Sequence, residues 1–145
     1  MEPVALAGLV LRAATDIVDG VQRGLQAHGF TDVRPAHGFA FVRISVGGAT
    51  TADIAAHLGV TKQAASQLVE QLVERGYVER TTSTVDRRAR LLTLTERGWA
   101  CTRAADDAAA TTVSAWTDVL GPATVATLQD ALARVVRAGP VRPAW

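Results

Sequence analysis

Residues 50–76 read TTADIAAHLGVTKQAASQLVEQLVERG, and the reading of this stretch decides the fold. Thr50 and Asp53 have the spacing of a capping box, in which the threonine hydroxyl accepts from a free N–H and the acid reaches back. Ile54, Ala55 and Leu58 give the first helix an inner face. Gly59 can take the left-handed conformation that closes a helix. Val60 then plugs the turn, and Thr61 can cap a second helix. In that second helix Ala65, Leu68, Val69, Leu72 and Val73 fall on one side, while Lys62, Gln63, Ser66, Gln67 and Glu70 fall on the other. Two short helices joined by a turn of this length make a helix-turn-helix. The polar residues at the start of the second helix are those that would enter a DNA major groove. Glutamine can pair with adenine through two bonds, lysine with guanine or phosphate, and serine with several bases. The predicted DNA-facing set is Thr50, Thr51, Thr61, Lys62, Gln63, Ser66 and Gln67.

The segment C-terminal to this motif supports that assignment. Tyr77–Thr81 and Arg90–Thr95 read as two strands, with a polar loop carrying Asp86, Arg87 and Arg88 between them. Arginines on such a loop suit phosphates or a narrow minor groove. Arg87, Arg88 and Arg90 therefore join the DNA-facing set, and Asp86 is read as the carboxylate that steers an arginine. Charge distribution agrees. Residues 61–103 hold eight basic and five acidic side chains, a net of +3 against −2 for the rest of the chain. The overall charge of +1 is too small to argue for nucleic acid by itself.

Over residues 50–98 the sequence resembles the winged helix-turn-helix core of the MarR family of bacterial repressors. The resemblance rests on TTADIAAHLGVTKQAASQLVEQLVERGYVER and on the wing DRRARLLTLTERG, where Asp86, Arg88, Leu94, Thr95 and Gly98 meet the family's pattern. It implies a sequence-specific transcription regulator, a ligand-responsive repressor that binds a pseudo-palindromic operator as a homodimer. It also implies that Arg88 enters the minor groove and that small aromatic effectors bind in a crevice, for which His37, Phe41, Arg43 and Trp99 are candidates by position and type. The wing tip, Ser83-Thr84-Val85, lacks the proline common in the family.

The flanks complete the expected architecture. Pro3 can open a helix, and Leu6, Val10, Ala14, Ile17, Val21 and Leu25 recur at helical steps over about 25 residues. His28-Gly29 ends it. A short helix at Ala36–Ser45 is predicted to bury Phe39, Phe41, Val42 and Ile44. A long alanine-rich helix is expected from about Thr95 to Leu120, and a last one over Ala123–Ala138. The fold class is mainly α (α+β), a winged helix-turn-helix with long N- and C-terminal dimerisation helices. The chain is read as a single domain over 1–145, with dimerisation helices in 1–34 and 120–145 and the DNA-binding lobe in 50–98.

Other chemistry finds little support. His28, His37 and His57 do not group with Cys101 at metal-ligand spacing, so neither a metal nor a cofactor is expected. No nucleophile stands beside a base, and no glycine-rich phosphate loop is present, so the chain is not read as an enzyme. A single cysteine excludes an internal disulfide and fits a reducing cytoplasm. Val4–Leu11 has the length of a signal-peptide core but no basic residue before it, and no apolar run is long enough for a membrane span. The expected partners are double-stranded DNA, a second copy of the chain and a small aromatic effector, with no membrane. Two alternatives stay open: a winged-helix protein-interaction module that does not bind DNA, and a redox-responsive regulator acting through Cys101.

Overall fold

Six helices and one pair of strands run in the order α1 (Pro3–Ala27), α2 (Pro35–Ile44), α3 (Thr51–Leu58), α4 (Lys62–Glu74), β1 (Val78–Thr82), β2 (Arg90–Leu94), α5 (Glu96–Leu120) and α6 (Pro122–Val135). The structure, a computed structural model, describes residues 2–82, 90–137 and 139. The chain divides into two compact units, Met1–Thr31 with Ala104–Ala138, and Asp32–Arg103 with Gly139–Trp145.

The second unit holds the central stretch. Its core is Ala40, Phe41 and Ile44 from α2, Ile54 and Leu58 from α3, Ala65, Val69 and Leu72 from α4, and Val78, Leu92 and Leu94 from the strands, all buried. Each helix contributes residues spaced three or four apart, so one face of each turns inward. That periodicity also corrects one expectation. Val42 is exposed, because His37, Ala40, Phe41 and Ile44 already form the inner stripe of α2 and residue 42 lies off it. The strands are antiparallel, from Val78 opposite Leu94 to Thr82 opposite Arg90. Ala49 extends this sheet by one bridge, exchanging both backbone hydrogen bonds with Leu92 at 3.1 and 2.7 Å.

The junction of β2 with α5 explains the motif Leu94-Thr95-x-x-Gly98 in physical terms. Leu94, the last residue of β2, is buried. The Thr95 hydroxyl accepts from the Gly98 N–H at 3.1 Å, capping α5, and donates to the Gly76 carbonyl at 2.6 Å. A Cβ at residue 98 would stand 2.2 Å from the Tyr77 carbonyl oxygen, so only glycine lets the helix start pass over that backbone.

The first unit consists of α1, the rest of α5, and α6. Its two long helices meet closely. A Cβ at Gly20 would lie 2.2 Å from the Thr112 hydroxyl oxygen, and one at Gly24 would lie 2.4 Å from the Ala108 Cβ. The apolar stripe of α1 is buried only at Leu25; Leu6 and Val10 are exposed. No residue of α6 is buried, and Leu128, Leu132 and Val135 all face solvent. Among the described residues, no helix is long and apolar enough to cross a membrane.

Candidate nucleic-acid interface

Local chemistry fixes both helices of the central motif. The Thr50 hydroxyl accepts from the Asp53 N–H at 3.1 Å, and the Asp53 carboxylate accepts from the Thr50 N–H at 2.9 Å. That backbone bond, with the Thr50 hydroxyl and nearby Arg43 adding to it, holds the Asp53 carboxyl below its usual range against the opposing effect of burial. Gly59 closes α3 at φ 65°, ψ 35°, in the left-handed region. Thr61 caps α4 by accepting from the Ala64 N–H at 3.1 Å. All these features are as the sequence leads one to expect. Val60 differs, because it is exposed at 42% and does not plug the turn.

With both ends fixed, α4 presents two faces. Ala65, Val69 and Leu72 are buried to 1% exposure or less. Lys62, Gln63, Ser66 and Gln67 are exposed on the first two turns. Thr61 is exposed, and Thr50 and Thr51 are half-buried. The cap bonds of Thr50 and Thr61 use hydroxyl lone pairs, so each O–H remains able to donate. Arg90 is exposed at the start of β2, opposite Thr82. Asp86, Arg87 and Arg88 lie outside the described residues. One arginine of the strand pair is already engaged, since Arg80 on β1 forms an ion pair with Glu70 on α4.

The four candidate effector residues fall in three settings. His37 and Phe41 are in the core, at 0% and 2% exposure. Arg43 braces the α2–α3 junction, donating to the Gly48 carbonyl at 3.0 Å and pairing with Asp53 at 3.5 Å. Trp99 is on the surface at 42%. Cys101 is 1% exposed, and burial, with Asp32 adding to it, pushes its thiol up to about 11. A buried thiol protonated at neutral pH is a poor nucleophile, which weighs against a redox sensor at this position. Among the described residues, no group of three or more histidine, cysteine or acidic side chains could hold a metal ion.

Two polar networks in the same unit escape the sequence reading. In one, the buried Tyr77 hydroxyl donates to Asp32 Oδ1 at 2.5 Å and accepts from Arg97 at 3.0 Å, with the Arg97 guanidinium 4.5 Å over the Tyr77 ring. Arg75, at the end of α4, donates to the Asp32 carbonyl at 2.6 Å. The Tyr77 hydrogen bond foremost holds the Asp32 carboxyl below its usual range. In the other, the His37 imidazole accepts from the Arg34 N–H at 2.9 Å and contacts Gln71 of α4 at 3.1 Å. The sequence does carry one signal for this second network. Arg34-Pro35 places His37 at the third position of a helix that opens on proline, where a side chain can reach back to a free N–H.

Residues 28–89 match the model of the MarR family. No curated protein matches the sequence. The fold is similar to that of wild-type MarR from E. coli in its apo form, at 23% identity and a TM-score of 0.73, over 94% of this chain and 99% of that one. It is similar to RV1404 from Mycobacterium tuberculosis, at 24% identity and a TM-score of 0.79, over 96% and 95%. It is also similar to CouR from Rhodococcus jostii RHA1, solved bound to p-coumaroyl-CoA, at 23% identity and a TM-score of 0.69, over 94% of each chain. Residues 28–89 thus match the MarR family, and the fold of the chain from α1 to α6 is similar to that of MarR.

Proposed function

We propose that the chain is a DNA-binding transcription repressor that acts as a homodimer on a pseudo-palindromic operator. The observation that carries this reading is the two-faced α4. Its first two turns expose Lys62, Gln63, Ser66 and Gln67 opposite a fully buried stripe, and caps at both helices hold that face in place. Residues able to read base edges are thereby fixed on a rigid element at the end that recognition helices insert. Arg90, with Arg87 and Arg88 of the connecting loop, supplies the phosphate or minor-groove contacts. The dimer is supported by the apolar residues that α1 and α6 leave in water, Leu6, Val10, Leu128, Leu132 and Val135 among them. A regulator of the same fold was solved with p-coumaroyl-CoA bound, which supports a small aromatic effector here. An effector that bound the DNA-competent state and another state unequally would change DNA affinity by that difference.

The test is capture of sheared genomic fragments by the purified protein at low and high salt, followed by selection of a consensus. Binding that weakens steeply with salt and converges on an inverted repeat is the expected result. A protein that retains no fragment at low salt would be the interaction module that the small net charge also allows.

A further inference from the structure

His37 is 0% exposed, the one buried histidine, acidic or basic residue among the described residues. Its surroundings fit only one charge state. Nδ1 faces the Arg34 N–H at 2.9 Å, so it must be an acceptor without a proton. The proton is therefore on Nε2, which donates to the Gln71 Oε1 at 3.1 Å. The Arg34 guanidinium reaches the same oxygen at 3.5 Å. Gln71 lies on α4, one turn after Gln67 on the exposed face.

A second proton has no place there. On Nδ1 it would point at the Arg34 N–H, a donor against a donor, and would orphan one of the free N–H groups at the start of α2. His37 sits in the first turn of α2, where the helix dipole opposes a cation. The charged groups around it are Arg34 from the α2 N-cap, Arg75 from the end of α4 and Asp32 from the connector. Burial is the largest effect and lowers the proton affinity of the ring; the Gln71 hydrogen bond and Asp32 favour the imidazolium, the two arginines oppose it, and the net direction is downward.

We infer that His37 is a positioning residue for the recognition helix: its neutral ring bridges the Arg34 N–H at the start of α2 and Gln71 of α4, and a proton on Nδ1 breaks the Arg34 end of that bridge, pushes the ring from its seat against α4 and weakens DNA binding. The inference rests on the DNA-binding reading above. Its sign follows from linkage. An unfolded histidine takes up its proton near pH 6.5. The folded lobe resists that proton, so the His37 contribution is complete above pH 6.5 and is lost as the pH falls below it. Once the folded ring itself titrates, DNA affinity falls by up to about tenfold per pH unit.

The experiment uses the full chain carrying His28→Asn and His57→Asn, which leaves His37 as the only histidine. Operator affinity is measured from pH 8 to pH 5 at constant ionic strength, with and without His37→Asn. The asparagine oxygen can take over the Arg34 N–H but does not titrate. Expected are an acid loss of affinity with His37 present and a flat profile with His37→Asn. An equal acid loss in both proteins, or none in either, overturns the inference. A protein that binds no DNA at pH 7.5 fails the DNA-binding reading, and NMR of the His37-only chain then decides the inference. Backbone amides of Gln71 and its α4 neighbours that shift with the His37 ring titration support the bridge. Amides that stay fixed through that titration overturn it, and the same measurement decides if His37→Asn does not fold.

Discussion

Tyr77 has no exposed surface, yet its hydroxyl is the meeting point of an acid and a base far apart in sequence. Removing that oxygen leaves the ring packed, with Phe41 still 5.6 Å away between centroids. Tyr77→Phe should therefore cost stability through the polar network alone, about 1–2 kcal/mol by urea denaturation at pH 7. The same bond holds the Asp32 carboxyl below its usual value near 3.8. A lowered carboxyl contributes stability above its unfolded pKa and loses it as the pH falls through the folded one. The cost of Tyr77→Phe should shrink correspondingly between pH 4 and pH 2; a constant cost would mean that Asp32 does not depend on the tyrosine. Gln67 is exposed on the face of α4 proposed to read DNA. Gln67→Ala should change base preference at one position of each half-site, by about 1–3 kcal/mol against the best base. An unaltered consensus in a selection experiment would remove Gln67 from the reading set. Cys101 marks the opposite case, because a candidate sensor by residue type is a core thiol by burial.

At the scale of elements, what decides whether a feature is legible is how far its partners lie along the chain. The caps of α3 and α4 join residues three apart, so Thr50, Asp53, Thr61 and Gly59 could be assigned from sequence, and the structure places them so. The α4 faces follow from helical periodicity in the same way. The bonds of His37 to Gln71 and of Tyr77 to Asp32 join residues 34 and 45 apart. No local rule pairs such residues, and position and type alone offered His37 only as an effector contact. The start of α5 lies between these extremes. Leu94, Thr95 and Gly98 were visible as a motif, but the reason for the glycine is a carbonyl of residue 77. Gly98→Ala should accordingly destabilise the protein by about 1–3 kcal/mol, since the new methyl meets backbone that cannot rotate away. An unchanged thermal midpoint would mean that α5 can start elsewhere.

For the whole molecule, the unit built from α1, α5 and α6 leaves α6 without a single buried residue. An amphipathic helix exposed on its apolar side is stable in water only with a partner face. On the proposed dimer, replacing Leu128 and Leu132 together by aspartate should raise the dimer Kd by roughly thirtyfold or more, equivalent to about 2 kcal/mol. Sedimentation at micromolar concentration should then show monomer, and operator binding should fall with it. A double variant that still sediments as a dimer would place the interface elsewhere. The sequence by itself determined the order of the helices and strands, their caps and the polar face of α4, because hydrophobic period and capping act over one or two turns. Only the tertiary structure decided which of the remaining side chains are free to act. His37, Phe41, Arg43 and Cys101 were all candidates by type, and each is taken up in packing or bonding. Burial depends on what the rest of the chain lays over a residue, and that is not written in its neighbours. The same holds for Thr50–Gly76. Its two helices were readable locally, but the inner stripe of α4 is an inner stripe because α2, α3 and the strands bury it with the rest of the core.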